Sequence, residues 1–383
     1  MKTAAVVAEY NPFHNGHAYQ LDRTRSAGAT HIVAVMSGNF VQRGEAAVFD
    51  KFLRADTAVR NGADLVLELP LPWAMSGAQC FAGGAVAIAG ALGCVDMLSF
   101  GSECADIQKL ESVADLLFSK ELEEKVASIV SSSVSFASAR QQAVCDIAGE
   151  EAASLLSNPN SILAVEYISA AKKAGFDFEF NAVARAGDGY NTNIPSGNSF
   201  ASASAVRTLI KSAEDYLPYV PQAYPEDYAD EKKLDVAILS VLRRMSAEEI
   251  SQAPDISEGL ENRIYSAIRE AVSVEDLLER IKTKRYPTAR LRRIILSLFL
   301  SIKSSYTNAP PPYLRVLACN ERGREILSAS KPSVPVAARA SQLKKLEGRA
   351  RELFELECQA DDIYSLCFSP ARECGSYFKN KAF

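Results

Sequence analysis

Thr3-Ala4-Ala5-Val6-Val7-Ala8 is an unbroken apolar run, and it passes directly into Glu9-Tyr10-Asn11-Pro12-Phe13-His14-Asn15-Gly16-His17. The run is too continuous for a strand with one wet face, so it reads as a parallel strand covered on both sides. The histidine segment after it sits where a first strand ends and a first helix, His17–Ala27, begins. Working outward, His31–Met36, Asp64–Leu69 and Val95–Phe100 repeat the continuous apolar pattern. The stretches Asp50–Asn61 and Cys80–Leu92 between them have helical spacing, and Asn61-Gly62 and Gly93 stand where helix ends take left-handed residues. This alternation implies an α/β fold: a doubly wound parallel sheet with right-handed crossovers, whose ligands bind beyond the carboxyl ends of the strands.

Farther along, Glu103–Gly149 reads as helical, Phe176–Arg185 alternates like a late strand, and Arg185–Ala201 is a Gly/Asn/Ser/Thr-rich loop. Ser202 then caps a helix running to Lys211. Asp215–Asp230, with Pro218, Pro221 and Pro225, reads as a linker, and amphipathic helices follow from Glu231 to about Lys303. The tail from Tyr313 reads as helical stretches with one short strand near Val334. Two domains are expected: residues 1–212, the doubly wound sheet, and residues 213–383, mostly helical.

Composition narrows the function classes. The 383 residues are 48% hydrophobic and 23% charged, which excludes a wholly disordered or coiled-coil chain. A net charge of −5 excludes a globally basic nucleic-acid coat. All 3 histidines precede residue 32 and the 8 cysteines form no CxxC pair, so no zinc-ligand spacing exists and the cysteines read as reduced cytosolic thiols. The uncharged stretch Leu69–Val95 is broken by Pro70, Pro72 and glycines, and reads as a buried loop and helix, not a membrane span.

The chemistry concentrates in His14-Asn15-Gly16-His17. Gly16 lets a phosphate approach the backbone, the helix amino terminus favours anions, and two imidazoles can donate hydrogen bonds to a nucleotide's phosphates as charge develops. The alternative is a turn with a helix cap. Ser202-Ala203-Ser204-Ala205-Val206-Arg207 offers hydroxyls, amides and an arginine suited to a triphosphate tail. Gln42-Arg43-Gly44-Glu45, followed by Lys51 and Arg54, could hold a carboxylate or stabilise leaving pyrophosphate. Between Arg280 and Arg293 lie seven basic residues and no acidic one. Of these, Lys282, Lys284, Arg285, Arg290, Arg292 and Arg293 form an expected phosphate-backbone footprint for RNA, with Tyr286 placed to stack on a base.

The HxGH segment resembles the signature of the HIGH-type nucleotidyltransferases, and Ser202–Arg207 resembles their second, Ser/Thr-rich signature. More narrowly, AEYNPFHNGHAYQL, VMSGNFVQRGEAAVFDKFLRADTAVRNGADLVLELP, FGSE, NPNSILAVEY, ARAGDGYN, SEGLENRI, KTKRYPTARLRRI and YLRVLACNERGREIL resemble the tRNA(Met) cytidine acetate ligase family. These blocks run in order from residue 8 to about residue 330. The resemblance implies an AMP-forming ligase that activates acetate with ATP, accompanied by Mg2+, with residues 1–212 as its nucleotidyltransferase-like, ATP-binding catalytic domain and residues 213–383 as its tRNA-binding domain. The acetyl group then passes to N4 of the wobble cytidine, position 34, of elongator tRNA(Met). It implies an ATP site made of Val7, Ala8, Glu9, Tyr10, Asn11, Pro12, Phe13, His14, Asn15, Gly16, His17, Ala18, Tyr19 and Gln20, with Gly101, Asn160 and Arg185. His14, His17 and Lys51 are the expected catalytic groups, no metal cage is expected, and the setting implied is cytoplasmic. Ala46, Ser161 and Ser202-Ala203-Ser204 depart from the family's usual QRGEP, PNN and SST. A small-molecule adenylyltransferase, or a non-catalytic RNA-binding protein with a nucleotide pocket, are the competing readings.

Overall fold

The computed structural model describes residues 1–130, 134–185, 200–257, 259–283 and 286–379. Strand β1 (Thr3–Ala8) leads through helix α1 (Asn15–Ser26) to β2 (His31–Ser37). A small hairpin, β3 (Phe40–Val41) and β4 (Glu45–Ala46), precedes α2 (Lys51–Arg60) and β5 (Leu65–Leu69). Helices α3 (Leu71–Ala74) and α4 (Ala78–Ala91) return the chain to β6 (Met97–Ser102). Three helices, α5 (Ile107–Leu116), α6 (Lys120–Ile129) and α7 (Phe136–Ser154), are followed by α8 (Pro159–Ala174), β7 (Glu179–Ala184) and α9 (Ala203–Lys211).

The sheet order is β7-β6-β1-β2-β5-β8-β9, and the strands from β7 to β5 are parallel. The continuous apolar runs have the expected cause. In β1, Ala5 faces one buried layer, while Ala4 and Val6 face the other; Val33 and Val35 of β2 alternate with Ile32, Ala34 and Met36 in the same way. The chain builds outward from β1 through β2 to β5, then crosses back to β6 and β7 on the other side. The switch point therefore lies between β1 and β6, where a crevice opens at the strands' carboxyl ends. Among the described residues no helix is long and apolar enough to cross a membrane, and the Leu69–Val95 stretch forms the buried α3 and α4.

Beyond residue 212 come α10 (Asp235–Leu242), α11 (Ala247–Ser251), α12 (Leu260–Glu270), α13 (Val274–Ile281) and α14 (Thr288–Phe299), the expected amphipathic helices. The tail holds β8 (Leu314–Cys319), α15 (Glu321–Ala329), β9 (Val336–Ala337), α16 (Ala340–Leu343), α17 (Gly348–Tyr364) and α18 (Ser376–Lys379). The short strand expected near Val334 is β9. The strand β8 was not expected, and it changes the picture of a division at residue 212. It pairs antiparallel with β5, so the tail completes the sheet instead of standing apart with the helices. Its apolar run is interrupted by Arg315, which disguises it in the sequence, yet Arg315 is itself buried.

Candidate active site

A cleft of about 200 Å3 lies at the switch point, walled by the ends of β1, β6 and β7, the starts of α1 and α9, and the Gln42-Arg43 loop. Of the expected nucleotide residues, Val7, Ala8, Glu9, Tyr10, Asn11, His14, Gly16, His17, Tyr19, Gln20, Gly101, Asn160 and Arg185 line it. Pro12, Phe13, Asn15 and Ala18 are not part of the lining. Phe13 is buried with its ring against Tyr10 and His17, and the Asn15 amide donates to the carbonyl of Pro218 at 2.9 Å.

The bend after β1 is held from several sides. Tyr10 adopts a left-handed φ of 48°, a costly conformation for an aromatic residue that the surroundings must impose. Arg54, fully buried, donates to the carbonyls of Glu9, Ser37, Gly38 and Phe49, tying the ends of β1 and β2 together. The Asn11 side chain accepts from the N–H of Val48 at 2.8 Å, and the Asn11 carbonyl accepts from Arg207 at 2.7 Å. Tyr224 donates to the Phe13 carbonyl at 2.8 Å.

His14 is the N-cap of α1, so the capping alternative is realised, but it uses only one ring nitrogen. The N–H of Gly16 donates to His14 Nδ1 at 3.0 Å, and the N–H of His14 donates to His17 Nδ1 at 3.2 Å. Because a backbone N–H can only donate, both Nδ1 atoms are acceptors, and each neutral ring carries its proton on Nε2. The two rings stack at 3.8 Å between centroids. Burial, then Arg185 and Arg207, push His14 down to about 3; burial, His14 and Arg185 push His17 well below the usual histidine range. The pair therefore presents two uncharged N–H donors to the cleft at any physiological pH.

The Ser202–Arg207 segment also reaches the cleft. Ser202 caps α9, accepting from the N–H of Ala205 at 3.1 Å, and Ser202, Ser204 and Arg207 line the cleft. Arg207 pairs with Glu45 at 3.1 Å. Across the cleft, Glu103 accepts from the Asn160 side chain at 2.6 Å and from the Ser161 N–H and hydroxyl at 2.8 and 2.9 Å. Burial raises the Glu103 pKa, but these hydrogen bonds outweigh it and hold the carboxylate below its ordinary range. Ser161, which departs from the family pattern, thus anchors the helix start that carries Asn160. Glu103 ends the FGSE block but was given no role in the sequence, because its partners Asn160 and Ser161 lie more than fifty positions away and only folding brings them to it.

Lys51 does not reach the cleft. It is fully buried, pairs with Glu68 at 2.6 Å and Asp361 at 2.9 Å, lies 4.2 Å from the centre of the Tyr377 ring, and is not part of the cleft lining. Burial opposes its charge, yet Asp361 and Glu68 raise its pKa overall. From the Gln42–Arg54 cluster only Gln42 and Arg43 reach the cleft.

The basic run is also largely committed within the fold. Arg290 donates to the Asp255 carbonyl at 2.7 Å and to the Ser257 hydroxyl at 3.1 Å. Arg292 pairs with Glu231 at 3.3 Å, and Arg293 pairs with Asp255 at 3.6 Å and donates to the Gln42 carbonyl at 3.2 Å. Tyr286 is buried beneath the Arg290 guanidinium, so it is not placed to stack on a base. Lys282 is exposed, with Glu279 3.4 Å away. Lys284 and Arg285 lie outside the described residues.

Comparison with known proteins agrees with this geometry. The family model for HIGH nucleotidyl transferases matches residues 1–376. The chain is similar to the tRNA(Met) cytidine acetate ligase of Thermoanaerobacter sp. (strain X514), 36% identical with 99% of this chain and 98% of the relative covered. Its likeness to the same-named protein of Acetivibrio thermocellus is 34% identity over 99% of this chain and 98% of the relative. Among solved structures it resembles Thermotoga maritima TmcAL bound with alpha-thio ATP, at 33% identity and a TM-score of 0.91, covering 100% of this chain and 99% of that one.

Proposed function

The chain belongs to the HIGH nucleotidyl transferases and, within them, to the tRNA(Met) cytidine acetate ligases, and from that premise we propose how its cleft works. A carboxylate oxygen of acetate attacks the α-phosphorus of ATP, and the bond to the pyrophosphate oxygen breaks. The resulting acetyl-adenylate gives its acetyl group to N4 of the cytidine at position 34 of elongator tRNA(Met), and AMP leaves.

The observation that carries this reading is the paired neutral histidines. Their Nδ1 atoms are occupied by backbone N–H groups, which orients both rings and leaves two Nε2–H donors for phosphate oxygens. Donors fixed in place strengthen as charge builds on the equatorial oxygens and need no reorganisation. The amino terminus of α1 adds its partial positive charge, and Arg185 and Arg207 supply full charges at the same wall. Mg2+ would arrive with the nucleotide and offset charge on its phosphates. Asn160, held by Glu103, and Gly101 form the side suited to the nucleoside.

We assign ATP chemistry to residues 1–212 and tRNA holding to the helices beyond 213, with Lys282, Lys284 and Arg285 as phosphate contacts. The cytoplasm, where ATP and tRNA meet, is the setting. The test is ATP–pyrophosphate exchange that depends on acetate and needs no RNA, followed by mass-spectrometric detection of N4-acetylcytidine after incubation with ATP, acetate and bulk tRNA. Exchange driven equally by longer carboxylic acids, or no acetylated cytidine, would overturn the reading.

A further inference from the structure

The two steps of the proposed reaction differ in their need for a proton acceptor. Acetate attacks phosphorus as a carboxylate and gives up no proton. The exocyclic amine of cytidine must lose one when its nitrogen bonds to the acetyl carbon. Acceptors in the cleft are few. The histidines cannot serve, because both Nδ1 lone pairs are engaged by backbone N–H groups and Nε2 carries the proton. Arg43, Arg185 and Arg207 are cations. Glu9 is the sole carboxylate in the cleft lining among the described residues.

We propose that Glu9 is the proton acceptor of the acetyl-transfer step, a role that rests on the acetate-ligase reading above. The N4–carbonyl bond forms, one N4 proton passes to a Glu9 carboxylate oxygen, and the bond between the carbonyl carbon and the AMP phosphate oxygen breaks. Glu9 is set up for this. Its Oε1 accepts from the N–H of Gln42 at 2.9 Å, which fixes the side chain at the β1 end. The same loop meets the helical part of the protein: Gln42 accepts from Arg293 through its carbonyl, and Gly44 abuts the backbone of Arg292 and Arg293. Glu9 is thus hydrogen-bonded to the cleft loop that docks on α14.

Charged groups face Glu9 from every neighbouring element: Glu45 from β4, Arg43 from its loop, Arg207 from α9 and Arg54 from α2. Burial first, and Glu45 second, raise the Glu9 pKa above the ordinary glutamate range, while Arg207 and Arg43 act the other way. A raised value brings a carboxylate nearer to the strength that neutral-pH base catalysis needs.

The experiment preloads enzyme with ATP and acetate, then mixes it with an elongator tRNA(Met) transcript in a rapid quench. Glu9→Gln keeps an acceptor for the Gln42 N–H and removes the base. Single-turnover transfer should slow by about 10²–10⁴-fold, while acetate-dependent ATP–pyrophosphate exchange falls by less than about tenfold. Wild-type transfer should rise with pH as Glu9 deprotonates and then level off, and Glu9→Gln should lose that inflection. Transfer within about threefold of wild type, or an unchanged inflection, assigns the proton to the adenylate's own phosphate and overturns the proposal. Exchange falling as far as transfer overturns it too, since Glu9 would then serve the nucleotide. A wild-type protein without acetate-dependent exchange instead sinks the acetate reading, and the Glu9 role with it.

Discussion

The histidine bend and the basic run Arg280–Arg293 attract the eye for the same reason, a concentration of functional residue types, and the fold treats them in opposite ways. At the bend, the backbone occupies one nitrogen of each ring and leaves the other to a cleft. In the basic run, the fold takes the charge for itself: Arg290, Arg292 and Arg293 serve Asp255, Ser257, Glu231 and the Gln42 carbonyl, docking α14 beside the cleft loop. Charge counted in a sequence is therefore not charge available to a ligand. What decides is whether a partner is delivered from elsewhere in the chain.

Lys51 is the extreme of the second kind, and its loss should have the largest effect. Lys51→Ala leaves Glu68 and Asp361 buried without their cation, and should destabilise the protein by about 3–5 kcal/mol, read from urea unfolding. Loss of activity at full stability would return Lys51 to the active site. At the bend the expectation reverses. His14→Ala or His17→Ala should slow ATP–pyrophosphate exchange by about 10²–10³-fold, the cost of one transition-state donor. Wild-type exchange in both variants would end the comparison.

The docking of the basic helix is probed through Gly44, whose φ is 72° and where an added Cβ would lie 2.5 Å from the Arg293 nitrogen. Gly44→Ala should cost about 1–3 kcal/mol of stability, seen as a lower thermal midpoint, because backbone atoms must shift. The smallest effect belongs to Lys282. Its ion pair is exposed and weak. Lys282→Glu should reduce the salt dependence of tRNA binding by about one unit of slope and leave acetate-dependent exchange unchanged. An unchanged slope would place the tRNA elsewhere.

The legibility of the chain follows the range of its interactions. Strands β1, β2, β5 and β6 were readable because burial on both faces writes an uninterrupted apolar run, α1 and α2 because helical spacing is a local pattern, and α9 because its cap, Ser202, is local. Strand β8 was not, since its partner β5 lies far back in the chain and Arg315 breaks its pattern. The tail's place was hidden for the same reason: Asn39 donates to Asp361 across 322 positions, and Tyr364 donates to the carbonyl of Ala47 across 317.

By itself, the sequence determined the parallel sheet, the position of the histidine bend at the end of its first strand, and the order of that bend and the Ser202–Arg207 helix start. Each of these depends on neighbours a few residues away. Only the tertiary structure decided which charged groups remain for a ligand. It buried Lys51, spent the arginines of α14, set the histidine tautomers and left Glu9 in the cleft, because an ionisable group's state depends on the solvent and partners around it, and those are brought together by folding alone.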